Sequence, residues 1–248
     1  MKSFGLTDKG KVRAENQDSF HLELCPEQEL LIAALCDGMG GHKAGEVASS
    51  LSNKTFVSKV FEALVSGTGK RHDYRKLLKT ACADTNGVTY EYSRFSEEFH
   101  GMGTTLVGGV IKNDGHGYII NVGDSRAYLI SPKKGKIRQI TRDHSLVQEL
   151  LRFGAITEEE ARIHPQRNII TRALGTEPKV DCDFYDFHLS AGEILLLCSD
   201  GLSNMMSDGE MLEQSKTYGE PESLCRRLME LALERGARDN VTVVCVSR

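Results

Sequence analysis

Nothing in the 248 residues approaches the run of ~18 consecutive apolar residues that a membrane-spanning helix needs. The amino-terminal stretch MKSFGLTDKGKVRAENQD also lacks the apolar centre of a secretory signal. These two absences predict a soluble protein of the cytoplasm with no membrane insertion. The seven cysteines show no Cys-x-x-Cys spacing, and an odd number cannot all pair within one chain, so neither a zinc ribbon nor a disulfide scaffold is expected. Cys36, Cys198 and Cys245 lie inside apolar runs, where a reduced thiol serves as a small buried hydrophobe. No block of Lys and Arg exists. The 31 basic and 35 acidic residues give a net charge of −4, and no footprint for nucleic acid or an anionic membrane surface. Repeats, low-complexity segments and long Pro/Gly/Ser linkers are missing as well, and the five prolines are scattered. A single domain over residues 1–248, acting as a monomer, is the economical expectation.

What is present is an ordinary globular composition, 40% hydrophobic and 27% charged. Short apolar runs predict strands over 30–36, 104–111, 118–122, 126–130, 180–188, 194–198 and 241–246. Helical periodicity runs over 46–65, 74–92, 146–153 and 221–235, the last with Pro221 at an allowed first-turn position. Helices and strands come in blocks instead of alternating, which points to an α+β protein with mainly antiparallel sheets. The charged segment 141–173 reads as an excursion from those sheets, either a cap on an edge or a flap over a site.

The chemistry lies in a repeated local pattern, an apolar strand that stops at an aspartate with glycine beside it. LLIAALC-Asp37-Gly38, EILLLCS-Asp200-Gly201 and YIINV-Gly123-Asp124 all have it. Asp239-Asn240 precedes the strand VTVVCV in the reverse order, and Asp18 opens DSFHLEL. One Asp-Gly pair is ordinarily just a turn. A carboxylate at the end of a buried strand, however, is costly unless it is paired, hydrogen-bonded or bound to a cation. If these strand ends converge, their oxygens make a site for hard cations, Mg²⁺ or Mn²⁺ in preference to zinc. Two such ions can clamp the attacking and leaving oxygens of a phosphoryl displacement and acidify a water.

Two rival nucleotide loops fail on spacing. Reading Gly-x-Gly-x-x-Gly from Gly38 puts Lys43 where the last glycine belongs, and Asp37 would repel a pyrophosphate. The Gly-Thr-Gly-Lys at 67–70 has Leu64 in place of the first glycine of a P-loop and Arg71 in place of its Ser/Thr. Arg13, five residues before Asp18, could grip two phosphate oxygens at once or could form a surface ion pair.

Eight ordered blocks across essentially the whole chain resemble the metal-dependent type 2C protein phosphatases in their compact bacterial form. They are R-x-x-N-Q-D (13–18), C-D-G-M-G-G-H (36–42), G-M-G-T-T-L (101–106), N-V-G-D-S-R-A-Y (121–128), T-R-D-H-S (141–145), I-T-R-A-L-G (170–175), L-C-S-D-G-L (197–202) and R-D-N-V-T (238–242). The resemblance implies two antiparallel sheets packed as a sandwich between helices, a four-layer αββα fold with a flap insertion at 141–173. It implies that Asp37 bridges two Mn²⁺ or Mg²⁺ ions, that Gly38 offers its carbonyl, and that Asp18, Asp200 and Asp239 complete the shells, largely through water. Asp124 matches a ligand of a weaker third ion, and Arg13 the phosphate-binding arginine. Substrates would be phosphoserine and phosphothreonine proteins, and a cognate serine/threonine kinase the opposing partner. Animal members place a histidine directly after the Asp-Gly pair as proposed general acid. Met39 stands there in this chain, leaving His42 and a metal-bound water as candidate donors. Two alternatives are a catalytically silent relative serving as a signalling module and a phosphatase dedicated to one regulatory protein.

Overall fold

The computed structural model describes residues 1–41, 43–66 and 72–248. The chain begins with β1 (Lys2–Asp8), β2 (Asp18–Cys25) and β3 (Leu30–Met39), followed by α1 (Ala44–Ser66) and α2 (Tyr74–Ser93). A run of strands comes next: β4 (Gly103–Thr104), β5 (Leu106–Lys112), β6 (His116–Val122), β7 (Arg126–Ser131) and β8 (Lys136–Gln139). Short helices α3 (Leu146–Arg152) and α4 (Glu158–Ile163) precede β9 (Asp183–His188) and β10 (Ile194–Cys198). The chain closes with α5 (Asp200–Ser203), α6 (Asp208–Thr217), α7 (Pro221–Glu234) and β11 (Val241–Ser247).

One sheet has the order β1-β11-β10-β7-β8 and the other β2-β3-β5-β6-β9, with β4 paired to β3. Neighbours in both are antiparallel. The period-2 alternation of side chains explains why the central strands read as unbroken apolar runs. Along β3, Leu31, Ala33 and Leu35 enter the core between the sheets with Leu195, Leu197, Val244 and Val246. Leu30, Ile32, Ala34 and Cys36 face the other way, against Phe56, Val60 and Leu64 of α1 and Leu78 of α2. In β10, Ile194, Leu196 and Cys198 meet Leu202, Leu224 and Leu228 of α5 and α7. Both faces of both sheets are therefore covered, giving the four layers αββα. Each fully buried leucine here contributes about 1.5–3 kcal/mol, so a charge at Leu35 or Leu196, both wholly buried, would break the stack.

The predicted strands and helices are all present, most with ends moved by one or two residues, and the 104–111 strand is divided into β4 and β5. The 180–188 strand starts at Asp183, and β3 continues through Gly38 and Met39 because β4 pairs with those two residues. Strands β1 and β8 and helices α4, α5 and α6 were not legible. Strand β1 has no fully buried residue and is fixed by its pairing with β11, a partner more than 200 residues away. Helix α4 is set by a capping box in which Thr157 and Glu160 satisfy each other's backbone N–H groups. The 141–173 excursion lies between β8 and β9, and its stems are stitched together by Leu146 N–H to Ile169 O (2.9 Å) and Thr171 N–H to His144 O (2.8 Å). All seven cysteines are free. Among the described residues no helix is long and apolar enough to cross a membrane. The rejected 67–70 loop lies outside the described residues.

Candidate metal centre

Asp18 opens β2 and stands directly opposite Asp37 on β3. Like charges facing each other across paired strands are destabilising, so this pairing calls for a compensating group. The Asp37 backbone is held firmly. Its N–H donates to Thr105 Oγ1 (2.9 Å), and its carbonyl accepts from Thr105 N–H (2.9 Å) and Thr104 Oγ1 (2.8 Å). The Thr105 hydroxyl in turn lies 2.7 Å from Ser125 Oγ, beside Asp124 in the turn after β6. At Gly38 the chains approach too closely for any side chain: a Cβ would fall 2.1 Å from Gly45 O and 2.6 Å from Gln17 O. Gly123 has φ +102° with Thr105 against it, so the turn that presents Asp124 requires glycine.

The other sheet supplies Asp200 and Asp239. Asp200 begins α5 immediately beyond β10 and accepts from Asn204 Nδ2 at 3.1 Å. Asp239 lies just before β11, accepting from Asn240 N–H (2.9 Å) and from Arg13 Nη2 (2.7 Å). Asn240 organises the loop that carries Arg13. Its Nδ2 donates to Lys9 O and Glu15 O, and its Oδ1 accepts from Gln17 N–H. Ser199 and Thr242 reach across the sandwich, donating to Asp18 Oδ2 at 2.8 and 2.7 Å. Hydroxyls from one sheet thereby fix a carboxylate of the other.

The electrostatics fit an all-oxygen cation site. Asp18 is buried, and its Oδ1 has no hydrogen-bond partner although Oδ2 has two. Burial pushes its pKa up to about 6 despite the Thr242 and Ser199 hydroxyls. Asp37 is raised well above the carboxylate range by burial and then by Asp18, Asp200, Asp124 and Asp239. Asp200 rises to about 6 through burial and Asp239, and Asp124 to about 7 through burial, Asp200 and Asp143. These acids feel one another, and among the described residues the one cation ion-paired with them is Arg13, exposed and bound to Asp239. Among the described residues no three or more His, Cys, Asp or Glu side chains are placed together so as to hold a metal ion by themselves. The groups that this cluster can offer a cation are carboxylate oxygens and backbone carbonyls, a chemistry that suits Mg²⁺ or Mn²⁺ better than a softer ion.

The structure thus gathers Asp18, Asp37, Gly38, Asp124, Asp200, Asp239 and Arg13 at one end of the sandwich. His42 lies outside the described residues. Sequence reasoning did not single out Thr105, Ser199, Asn240 and Thr242. Ser199 and Asn240 adjoin Asp200 and Asp239 in the chain, which was the available signal, whereas Thr105 and Thr242 lie far in sequence from Asp37 and Asp18, the acids they hold.

Comparison with known proteins places this geometry in context. The family model described as protein phosphatase 2C matches residues 9–235. The serine/threonine phosphatase Stp of Listeria monocytogenes serotype 4b is 38% identical over 243 residues, covering 98% of this chain and 94% of its own. The crystal structure of serine/threonine phosphatase Stp1 from Staphylococcus aureus superposes with a TM-score of 0.90 at 38% identity, over 100% of this chain and 94% of that one. The catalytic domain of the serine/threonine protein phosphatase PstP, solved with two manganese ions, gives a TM-score of 0.77 at 37% identity over 98% and 96%.

Proposed function

This chain belongs to the protein phosphatase 2C family and is a serine/threonine phosphatase, and from that premise we propose that its clustered aspartates hold the Mn²⁺ or Mg²⁺ on which hydrolysis depends. The observation that carries this assignment is the Asp18–Asp37 pair facing across β2 and β3, with the orphaned Asp18 Oδ1 and no countercharge of its own. In this assignment Asp37, Asp18, Asp200, Asp239 and the Gly38 carbonyl would hold the ions, and Asp124 would serve a weaker one. Bound ions supply an acidified water and neutralise charge on the phosphoryl oxygens. The protein's own part is to hold the acids. Thr105 fixes the Asp37 backbone, while Ser199 and Thr242 keep one Asp18 oxygen occupied and the other open.

Arg13 is exposed on the Asn240-pinned loop, within reach of solvent-borne phosphate. A substrate phosphate dianion competes with Asp239 for its planar fork, and binding exchanges one charge-assisted contact for another. His42 remains the candidate general acid. Two sheets sharing one inner core support taking 1–248 as a single catalytic domain, with 141–173 as a flap that contacts phosphoprotein substrates. A cytoplasmic serine/threonine kinase system is the proposed setting. Retention of every acid weighs against a silent signalling relative. Hydrolysis of a phosphothreonine peptide should require added Mn²⁺ or Mg²⁺, and full activity after exhaustive EDTA treatment would overturn the metal assignment.

A further inference from the structure

His144 belongs to the T-R-D-H-S block, yet nothing above uses its side chain. It is buried at the stem of the 141–173 excursion. Its contacts with Gly123 run both ways: Gly123 N–H donates to His144 Nδ1 (3.1 Å), and His144 N–H donates to Gly123 O (2.9 Å). Asn121 Nδ2 adds to the same carbonyl at 3.1 Å and also binds Arg142 O at 3.1 Å. On the far side of the ring, Nε2 lies 3.4 Å from Asp183 Oδ2 at the start of β9 and 3.3 Å from Arg172 Nη1. Arg172 also binds Asp183 Oδ1 (3.2 Å), and the Tyr185 hydroxyl donates to Asp183 Oδ2 (3.1 Å).

These contacts determine the tautomer. A ring nitrogen that accepts an amide N–H carries no proton, so the proton of the neutral ring is on Nε2. Nε2–H can donate to Asp183 but cannot accept from Arg172, whose own partner is therefore the carboxylate. An aliphatic side chain could fill the same space. It could not accept the Gly123 amide on one edge while donating to Asp183 on the other.

We propose that His144 is a positioning residue for Asp124. As the neutral Nε2–H tautomer it clamps both backbone groups of Gly123 and anchors that clamp on Asp183, so the turn presenting the Asp124 carboxylate is held in one orientation. Because Thr171 N–H donates to His144 O, the same residue also ties the returning stem of the excursion to this turn. The proposal rests on the assignment of Asp124 to the weaker cation site. Partners that orient a metal ligand in this way typically matter by roughly 10–100-fold in affinity or activity.

Asparagine and glutamine separate the two edges of the ring. Asparagine places an acceptor oxygen where Nδ1 stands, and glutamine places its amide near Nε2. Mn²⁺ binding is read by the loss of the free-ion paramagnetic resonance signal, alongside phosphopeptide kinetics and thermal unfolding. His144→Gln is expected to weaken the weakest Mn²⁺ site by about tenfold and to lower kcat at fixed Mn²⁺, with KM for the peptide and the tight sites unchanged. His144→Asn should stay within about twofold of the parent on both readouts. Equal losses in both variants, tracking their unfolding temperatures, would reduce His144 to packing and overturn the proposal. So would an unchanged weak site in His144→Gln, or a parent protein that binds only two Mn²⁺. The binding arm needs no turnover: a parent that bound Mn²⁺ and hydrolysed nothing would sink the phosphatase assignment and leave the His144 comparison standing.

Discussion

The two ends of β10 treat a buried acid in opposite ways. Glu193 precedes the strand and is almost fully enclosed, but it accepts from Ser131 Oγ (2.6 Å), Lys134 Nζ (3.0 Å) and Ser190 N–H (3.0 Å). Burial alone would raise its pKa, yet these donors hold it down at about 2. Asp200 follows the strand, has Asn204 as its donor, and is pushed up to about 6 by burial and Asp239. One end is a finished ion pair, and the other is a set of like charges that raise one another's pKa. Cavity size does not mark the difference. The 810 Å³ cleft lined by Tyr74, Lys112, Asp114, His116, Tyr118 and Phe184 sits at the end of β5 and β6 away from the aspartates. Its Asp114 is already paired with Lys112 at 2.6 Å, and Tyr74 stacks on Tyr118.

The largest break in this comparison should come from Asp37→Asn. Turnover of a phosphothreonine peptide should fall by more than the ~100-fold that accompanies loss of a group merely orienting a ligand. The cation-free protein should nevertheless lose no stability, because burial and four neighbouring carboxylates already disfavour the Asp37 charge. Near-normal turnover, or a loss of stability in EDTA, would contradict the assignment.

Glu193→Gln should do the reverse. Deleting the charge of a satisfied acid should cost on the order of 2 kcal/mol in urea unfolding at neutral pH and leave kcat/KM unchanged. Since the folded pKa lies below the unfolded one, this contribution is present above about pH 4.5 and fades toward pH 2. A catalytic defect without a stability defect would mean the two ends of the strand are not distinct.

Arg13→Ala should raise KM for the phosphopeptide by about tenfold with a smaller effect on kcat, because the guanidinium grips oxygens already charged in the ground state. Arg13→Lys should rescue little, lacking the planar fork. Steady-state kinetics on one peptide decide it, and unchanged kcat/KM in both variants would remove Arg13 from the site.

The smallest expected effect is on pH dependence. Asp18, Asp124 and Asp200 have folded pKa values raised from 3.8 to about 6, 7 and 6. The folded state binds more protons than the unfolded state between those values, so without cation their contribution falls as pH rises from about 4 to 7. His144, lowered by burial and by Arg172, opposes this below about pH 6.5. Asp37, also raised, adds to the fall, so urea unfolding in EDTA should show a net loss of at least about 1 kcal/mol between pH 6.5 and 8, and saturating Mn²⁺ should abolish it by holding the acids ionised. An identical slope with and without Mn²⁺ would show that the cation does not bind these carboxylates.

Much of this was legible in the primary structure because it is local. Continuous apolar runs marked β3, β5, β6, β10 and β11, and buried strands must be apolar on both faces when helices cover them. Strands β3, β6, β10 and β11 also announced their own terminal acids, since Asp and Gly break a strand wherever they fall. The spacing could not say which hydroxyls hold the acids. Ser199 and Thr242 are 181 and 224 residues from Asp18, and only the packing of one sheet on the other brings them within hydrogen-bond reach. Arg13 was placed beside Asp18 by sequence, but its nearest carboxylate is Asp239, because Asn240 folds the 9–17 loop back onto the start of β11. His144 looked like one polar residue in a charged segment, and its role depends on Gly123 and Asp183 meeting it from the turn after β6 and from the start of β9. Residue types and strand-end positions fixed the kind of chemistry, because charge and periodicity are properties of short segments. Partners, protonation and enclosure were decided by tertiary structure, because they depend on distances between segments far apart in the chain.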